Sequence, residues 1–507
     1  MKKLVSLFLA LIMVLSVCSF AAAEEDMTLD VLLPDFYSDS EWVTLEDGNP
    51  VLQAIYDATG VKLNIRWSPN SGYGDTTTLT MGDPKNMPEV MVMQGPRDAI
   101  TIDSARAGAF WDLTDYIADA ENYPNLAAGQ ESTYANTAID GRIYGIYRAR
   151  AYARAGIYYR NDYAKKAGFE TVPTTVQEFK DMCMAMAALG EAYVINMCKY
   201  VDGTIGIMTV MNGAPYQYGV DAEGKIYPAF ESPKFQEGLD FLRDLYAAGG
   251  IDPNFMTIES GNWNDPERAT PPKALMRLDC LDNGYRYQEW LQENAGASNV
   301  PGEEIVTLLS ALKDDDGNIQ IWPQNTGASG EIVITKTVSE EKLPRVLKFL
   351  DWCNSAEGQT LLNCGVEGVT YWIHEDGYRY TYPEGEETNS AQYATYTNTV
   401  QHSLNQLGMN VNGDLTPPTA ATTLRTWYNN NLIENAKYVI ANPCLTLDSE
   451  TNTLVGATLK TDIEDAHVQY IAGKIDLAGL QDAYKNWHND GGDDILAEFQ
   501  AAYDAQK

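Results

Sequence analysis

Short apolar segments alternate with helical segments through the first third of the chain, and this alternation limits the possible folds more than any other feature. Strand-like runs occupy residues 28–33, 61–67 and 89–93, and a helical pattern closed by Gly60 occupies residues 51–59. Alternation of this kind is typical of an α/β lobe built on a largely parallel sheet. In open sheets of this class, ligands bind beyond the carboxyl ends of the strands. We therefore expect ligand contacts in the loops at residues 35–42, 68–73 and 94–98.

Chain length adds a second constraint. The chain has 507 residues, whereas a single hydrophobic core stops growing at about 250–300 residues. Two lobes are therefore expected, and the 45% hydrophobic content suits well-packed ones. The formal net charge of -36 opposes binding to nucleic acid or to anionic lipid.

The first residues have the layout of a secretory signal. Lys2 and Lys3 precede an apolar run at residues 4–17, and small residues lead up to Ala23. No later apolar stretch approaches the ~20 residues of a spanning helix. We predict an exported protein, extracellular or bound to the cell surface (periplasmic in a Gram-negative cell), with residues 1–23 removed as a signal peptide. The alternative is a lipid anchor on Cys18, because residues 15–18 resemble a lipoprotein signal, although Val17 is larger than the usual residue there.

Cysteine and acidic patterns give no sign of a metal or a cofactor. The six cysteines beyond Cys18 are sparse and form no C-x-x-C pair, so we predict buried thiols. Residues 314–318 begin like a calcium loop, but glycine is absent at the sixth position and Asn325 stands where a glutamate is needed. A turn is the expected structure there. The four histidines lack ligand spacing, so neither a metal site nor a cofactor is predicted.

Helical patterns dominate the rest of the chain. Thr175 and Glu178 are spaced as a capping box that begins a long helix at residue 176. Beyond about residue 400 helical periodicity prevails, and the last predicted helix covers residues 495–503.

Several segments, taken in order, resemble family 1 extracellular solute-binding proteins. They lie at residues 83–90, 139–146, 158–168, 245–253, 354–358, 364–371 and 471–474, with sequences DPKNMPEV, IDGRIYGI, YYRNDYAKKAG, LYAAGGIDP, NSAEG, CGVEGVTY and IAGK. The resemblance spans nearly the whole chain after the signal.

That resemblance implies a two-lobed α/β fold of the type II periplasmic-binding-protein kind, each lobe a mixed sheet flanked by helices, with a helical C-terminal region. Lobe one would comprise residues 27–147 and 330–390, and lobe two residues 152–325 and 395–507. Hinge crossovers would lie near residues 147–152 and 324–330, with ligand held between the lobes. The implied function is the solute-binding component of an ABC importer, a monomer that works with membrane permease subunits and a separate ATPase. The chain itself has no P-loop and no G-x-S-x-G elbow, and no catalytic residue is predicted.

Aromatic residues in turn-rich segments are the candidate sugar contacts. Aromatic rings offer flat surfaces to the C–H face of a pyranose, while planar polar groups fix its hydroxyls. A structural role is an equally open interpretation for each of them, and Trp263 and Trp42 rank highest. The full set is Trp42, Trp67, Tyr73, Trp263, Trp322 and Trp372.

Three arginines lie within seven residues at the first predicted crossover, in a chain with twice as many acids as bases. They are Arg148, Arg150 and Arg154, and an alternating strand would point all three to one face. Arg148, Arg150 and the neighbouring Tyr152 join the predicted ligand-binding residues. Because guanidinium is a rigid fork for carboxylate, the cluster favours an acidic, uronate-containing oligosaccharide. Alternatively, these arginines pair with surplus carboxylates of the chain itself.

Two other functions stay open. A peptide or amino-sugar receptor could have the same architecture. A secreted glycoside hydrolase would need two carboxylates about 5–10 Å apart, and the chain has 71 acidic residues from which such a pair could come.

Overall fold

A computed structural model gives the fold of residues 27–35, 48–298, 300–323, 326–393, 404–409, 415–419 and 422–505. The predicted signal peptide, Cys18, Trp42 and Asn325 lie outside these residues. The strands are β1 (Met27–Asp35), β2 (Val61–Pro69), β3 (Val90–Met93), β4 (Gly145–Ala149), β5 (Ala155–Arg160), β6 (Tyr193–Ile195), β7 (Tyr218–Val220), β8 (Ile226–Pro228), β9 (Ala274–Cys280), β10 (Val306–Leu309), β11 (Ala328–Ile334), β12 (Trp372–Ile373) and β13 (Arg379–Tyr380).

The helices are α1 (Pro50–Thr59), α2 (Tyr73–Met81), α3 (Ala99–Arg106), α4 (Thr114–Ile117), α5 (Pro124–Ala127), α6 (Glu131–Thr137), α7 (Asn161–Lys166), α8 (Val176–Ala188), α9 (Val201–Met211), α10 (Pro233–Ala247), α11 (Asp265–Arg268), α12 (Leu281–Asn294), α13 (Leu343–Cys353), α14 (Ala356–Cys364), α15 (Thr423–Asn435), α16 (Glu450–Ile471), α17 (Leu477–Trp487) and α18 (Asp493–Asp504). No helix in the described part of the chain combines the length and the apolar character that membrane crossing requires.

The chain forms two compact units. Unit 1 comprises the described parts of residues 1–129, 142–148 and 330–419, and unit 2 those of 130–141, 149–329 and 420–507. The segment at 130–141, expected in lobe one, groups with unit 2, and the described residues of 404–419, expected in lobe two, group with unit 1.

Unit 1 contains a five-stranded mixed sheet in the order β2-β1-β3-β11-β4. β1 runs parallel to β2 and β3, while β11 is antiparallel to β3. The predicted first helix is confirmed: the Asn49 side chain accepts from the amides of Val51 and Leu52 at its start, and Gly60, at φ 65°, ends it in the left-handed conformation. The three predicted strands of the first third are confirmed as β1, β2 and β3.

Unit 2 contains a four-stranded sheet in the order β10-β5-β9-β6. β9 is parallel to β6 and antiparallel to β5, and β10 is antiparallel to β5. Helix α8 begins at the predicted capping box, in which Thr175 Oγ1 accepts from the Glu178 amide. The predicted helical C-terminal region is confirmed by α15 to α18. Its apolar faces add Ile471 and Leu480 to the core beneath the sheet.

The described cysteines and the acidic turn follow the sequence expectations. Six cysteines are buried and form no disulfide within the described residues. Asp314 Oδ1 accepts from the amides of Asp316 and Asn318 and so closes a turn. Across the described ranges, no three metal-ligating side chains come together.

A buried ion pair of unit 2 connects three elements, β5, β9 and α11, with the segment that follows β6. Arg277 on β9 and Glu267 on α11 are each 2% exposed, with Arg277 Nη2 at 2.8 Å from Glu267 Oε1. Asn196 Nδ2 donates to the same oxygen at 2.6 Å, and the Tyr158 hydroxyl donates to Oε2 at 3.0 Å. Burial raises the pKa of Glu267, and Arg277 opposes that shift. A buried charge with this many partners is tolerated, but removing one partner leaves the other charge stranded.

Replacing one member of this pair should therefore cost much more than replacing both. We expect Arg277→Met to lower the free energy of unfolding by about 3–5 kcal/mol, and Arg277→Met with Glu267→Gln to recover a substantial part. Urea denaturation followed by circular dichroism measures this. As a control, Lys166→Met, which breaks an exposed pair with Glu191, should change stability little. A double variant no more stable than Arg277→Met would contradict this account of the pair.

Candidate ligand-binding site

Three chain segments meet at one edge of the unit 2 sheet. β6 and β9 are parallel and end at Ile195 and Cys280, and the antiparallel β5 begins at Ala155, which pairs with Cys280. The residues just before 155, just after 195 and just after 280 therefore share this edge. It is the carboxyl edge of the parallel pair, where ligands of α/β sheets bind. We call it the unit 2 edge.

Arg150 lies at the unit 2 edge with an exposed side chain. Its backbone amide donates to the Gly327 carbonyl at 2.9 Å. Among the described residues, no hydrogen bond or ion pair is recorded for its guanidinium. Desolvation and the nearby Arg154 lower the pKa of Arg150, while Asp282 and Cys280 act in the opposite direction. The result is a cation held among neighbours with donors still available.

Arg154 differs because it is engaged within unit 2. Its Nη2 donates to Cys280 Sγ at 2.9 Å, and its Nε lies 3.9 Å from Asp282 Oδ1. Asp282 is 5% exposed, and its Oδ2 lies 3.3 Å from Arg286 Nη1. This pairing corresponds to the alternative interpretation of the arginines, in which they neutralise carboxylates of the chain.

The three predicted arginines do not share one strand face. β4 ends at Ala149, so the alternation that would align Arg148 with the other two stops before Arg150. Arg148, half-buried, belongs to unit 1 and acts electrostatically on Tyr73. The prediction of a single three-arginine face is therefore corrected, because the extended backbone is too short to carry it.

Tyrosines supply the accessible rings at the unit 2 edge. Tyr200 is 44% exposed, and the half-buried Tyr216 interacts electrostatically with Tyr200 and Tyr152. The two tryptophans predicted for this unit lie behind them: Trp263 is edge-on to Tyr200 at 6.3 Å, and Trp322 edge-on to Tyr216 at 5.9 Å. Both indoles are at most 7% exposed. They therefore support the tyrosine rings, which present the surface.

Packing of Trp263 explains its position. Its Nε1 donates to the Asn196 carbonyl at 3.1 Å, and the Arg277 guanidinium lies 4.4 Å from its ring. The sequence did not single out Tyr200, because it is one of 31 tyrosines in the chain. Its position a few residues beyond β6 was the signal that could have identified it.

A buried asparagine anchors the segment that carries Tyr152 and Arg154. Asn435, at the end of α15, is fully buried. Its Nδ2 donates to the Ala153 carbonyl at 3.2 Å, and its Oδ1 accepts from Ser310 Oγ at 3.0 Å. The segment is thereby fixed to both α15 and the end of β10.

Unit 1 presents polar side chains at the carboxyl edge of its own sheet. Two of the predicted contact loops meet there, since Gln94 Nε2 donates to Asn70 Oδ1 at 2.8 Å. Trp67 on β2 is half-buried. Tyr73 lies inside the unit, where its hydroxyl hydrogen-bonds to the carbonyls of Leu32 and Val92. The amide groups of Gln94, which is exposed, and Asn70, which is half-buried, suit sugar hydroxyls.

Trp372 lies on the β12–β13 hairpin of unit 1. It is half-buried, and its ring packs edge-on against Tyr393 with centroids 5.0 Å apart.

A groove of about 670 Å³ follows the edge strand β10 of unit 2. Residues 172–174 and 306–313 line it together with Trp427. None of the predicted site residues contributes to its lining. Its volume is in the range of ligand pockets, so the groove provides an alternative location against which the unit 2 edge can be tested.

Glu331 is a buried carboxyl group at the start of the unit 1 portion of β11. It is 1% exposed, and no hydrogen bond to its Oε1 is recorded among the described residues. Burial raises the pKa of Glu331 to about 8, and Arg97 opposes the shift. The backbone of Gly145 lies against this carboxyl group so closely that any Cβ at residue 145 would collide with it.

The chain is similar in sequence to known bacterial proteins. A family model described as bacterial extracellular solute-binding protein matches residues 43–265. Lipoprotein LipO of Bacillus subtilis (strain 168) is 29% identical over 100% of this chain and 99% of the relative. Polygalacturonan/rhamnogalacturonan-binding protein YtcQ of the same strain is 24% identical over 90% of this chain and 88% of the relative.

Among the solved structures that share the fold are two carbohydrate-binding proteins. Alginate-binding protein AlgQ2 superposes with a TM-score of 0.67 at 18% identity, covering 95% of this chain and 99% of that chain. The N-glycan transport solute-binding protein NgtS of Streptococcus pneumoniae gives 0.66 at 16% identity with the same coverage. The predicted resemblance to extracellular solute-binding proteins and the predicted two-lobed α/β fold class are confirmed.

Because the pKa of Glu331 is raised, the folding stability of the protein should depend on pH. Between about pH 4.5 and pH 8 the folded protein binds this proton more tightly than the unfolded chain does, so stability falls as the pH rises through that window. Glu331→Gln should remove this fall in stability, because glutamine does not ionise. We expect its stability gain over the unmodified protein to grow from pH 5 to pH 8 by up to a few kcal/mol and then to level off.

Denaturation curves recorded between pH 5 and pH 9 measure that difference. Glu340→Gln, at an exposed position of unit 1, is the matched control and should give a difference that is constant with pH. A difference for Glu331→Gln that does not vary between pH 5 and pH 8 would contradict a strongly raised pKa.

Proposed function

Because this chain resembles the bacterial extracellular solute-binding proteins in sequence and fold, we propose that it captures an oligosaccharide outside the cytoplasm and delivers it to an ABC importer. Membrane permease subunits and a separate ATPase would be its partners. The matched family and both superposed structures are named for binding or transport of a solute. These names support the proposal that the protein is a receptor, which releases its ligand chemically unchanged.

The observation that carries the choice of ligand is the guanidinium of Arg150, which lies beside the tyrosines of the unit 2 edge and has no hydrogen bond or ion pair recorded in the described part of the chain. Guanidinium binds carboxylate through two parallel hydrogen bonds. Tyrosine rings pack against the apolar faces of pyranoses and donate hydroxyl hydrogen bonds at their rims. A carboxylate beside a sugar ring satisfies both groups. We therefore propose a uronate-containing oligosaccharide as the preferred ligand.

Two of the compared proteins support this choice. One is named for polygalacturonan and rhamnogalacturonan, and the other for alginate. Alginate and polygalacturonan are polymers of uronic acids, so the ligands in these names carry the carboxylates that Arg150 would bind.

A second candidate ligand is an oligosaccharide containing amino sugars. It is favoured by the structural similarity to the N-glycan transport protein and by exposed amides such as Gln94, which suit acetamido groups and hydroxyls equally. Such a ligand has no carboxylate, so its affinity would be independent of Arg150.

The lipid anchor is part of the same proposal. The relative named as a lipoprotein matches this chain over its full length. That similarity supports attachment through Cys18 over release after Ala23, and mass spectrometry of the N-terminal peptide from membranes would distinguish the two.

Calorimetry with trigalacturonate and its methyl ester tests the proposed ligand class. We expect trigalacturonate to bind and Arg150→Gln to weaken it about 10–100-fold, since a charge-assisted hydrogen bond contributes about 1.5–3 kcal/mol. Binding of the uncharged methyl ester should change less than about 3-fold. The matched control is Arg142→Gln, an exposed arginine of unit 1 paired with Asp112, which should leave both affinities unchanged.

Other results would redirect the assignment. Binding of neutral or amino-sugar oligosaccharides with no binding of uronates would contradict the acidic ligand. Appearance of shorter sugars after incubation, measured by chromatography, would contradict a receptor and favour a glycoside hydrolase.

A further inference from the structure

Three arginines are within electrostatic range of one carboxylate at the unit 2 edge. Arg150, Arg154 and Arg286 all interact electrostatically with Asp282. The carboxylate itself belongs to the first turn of α12, directly after β9, and is 5% exposed. In a chain with a net charge of -36, three neighbouring arginines are unusual, and Asp282 is a carboxylate that acts on each of them.

The distances show that Asp282 is shared and not committed to one partner. Its Oδ1 lies 3.9 Å from Arg154 Nε, and its Oδ2 lies 3.3 Å from Arg286 Nη1. Charge-assisted hydrogen bonds are shorter, about 2.7–2.9 Å. Oδ1 is buried with no hydrogen bond recorded in the described part of the chain. Asp282 therefore lowers the positive potential around Arg154 and Arg286 through Coulomb attraction, without forming a short, two-point hydrogen-bonded pair with either guanidinium.

Neighbouring charges of α12 and α15 form a separate pair. Arg425 Nη2 contacts both carboxylate oxygens of Glu289, at 3.0 and 3.1 Å. The Arg425 guanidinium also stacks on Tyr285 at 4.9 Å. Arg286 lies against the same ring at 5.8 Å, but 59% of its side chain is exposed. Arg425 is thus neutralised, whereas Arg286 depends on Asp282 alone among the recorded ion pairs of the described residues.

We propose that Asp282 is a specificity-determining residue that restricts the ligand to one carboxylate at the unit 2 edge. Arg150 binds that carboxylate, while Asp282 screens Arg154 and Arg286 and repels a second one. This inference rests on the proposed function, since it concerns how an acidic oligosaccharide is selected. The ligand class it names is an oligosaccharide with a single uronate at this position and neutral sugars beside it.

The test is a gain of affinity. Asp282→Asn keeps the shape of the side chain and removes its charge, leaving Arg286 available to a second ligand carboxylate. Calorimetry would compare trigalacturonate with a trisaccharide of one galacturonate and two neutral sugars. We expect Asp282→Asn to raise the affinity for trigalacturonate about 10-fold relative to the single-uronate trisaccharide. Adding Arg286→Gln to Asp282→Asn should abolish most of that gain.

The matched control is Asp494→Asn, an exposed acid in the first turn of α18. Like Asp282→Asn, it removes one negative charge from the first turn of a helix, but this charge is not among those recorded as acting on the arginines of the unit 2 edge. It should therefore leave the ratio of the affinities for trigalacturonate and the single-uronate trisaccharide unchanged. If Asp282→Asn does not fold, Arg286→Gln alone remains informative. It should weaken trigalacturonate binding at least 3-fold without affecting the methyl ester, because the Asp282 charge is then less screened.

The outcomes separate this inference from the proposed function. If the unmodified protein binds no oligosaccharide, the proposed function fails. If trigalacturonate binds through Arg150 but Asp282→Asn leaves the ratio unchanged or lowers it, only the role of Asp282 is overturned. An equal gain with Asp494→Asn would overturn it too, because a nonspecific effect of net charge would then explain the result.

Discussion

The buried ion pair between Arg277 and Glu267 is the interaction on which the unit 2 edge depends. It joins β9 to α11, while the side chain of Asn196 connects it to the segment after β6. The same guanidinium lies over Trp263, which in turn supports the exposed ring of Tyr200. Two charges taken out of water are costly unless their geometry is good. Here that cost is offset by a network that holds several edge segments in register.

The edge assembled on this network combines two chemical properties. Its tyrosines present partly exposed rings, and the guanidinium of Arg150 has no hydrogen bond or ion pair recorded within the described residues, whereas the neighbouring Arg154 lies 3.9 Å from Asp282. Asn435 fixes the segment that carries Tyr152 and Arg154, because its side-chain amide donates a hydrogen bond to the Ala153 carbonyl. A rigid scaffold of this kind reduces the conformational entropy that the site loses when a ligand binds, and such preorganisation raises affinity.

Local features of the sequence predicted much of the fold. Gly60 and the Thr175–Glu178 capping box locate helix ends correctly because their effects act within one turn. The candidate site was predicted less completely. Trp263 and Trp322 are the residues expected on a sugar surface, yet tertiary packing buries both behind tyrosines. The pairing of Arg154 with Asp282 joins residues far apart in sequence, so no spacing rule could reveal which of the clustered arginines is already neutralised.

Hydrogen–deuterium exchange measured with and without trigalacturonate tests most directly where an acidic oligosaccharide binds. The account predicts slower exchange in the peptides that cover residues 150–154 and 196–200, with the loss of that protection in Arg150→Gln. Protection confined to residues 172–174 and 306–313, which line the groove beside β10, would contradict binding at the unit 2 edge.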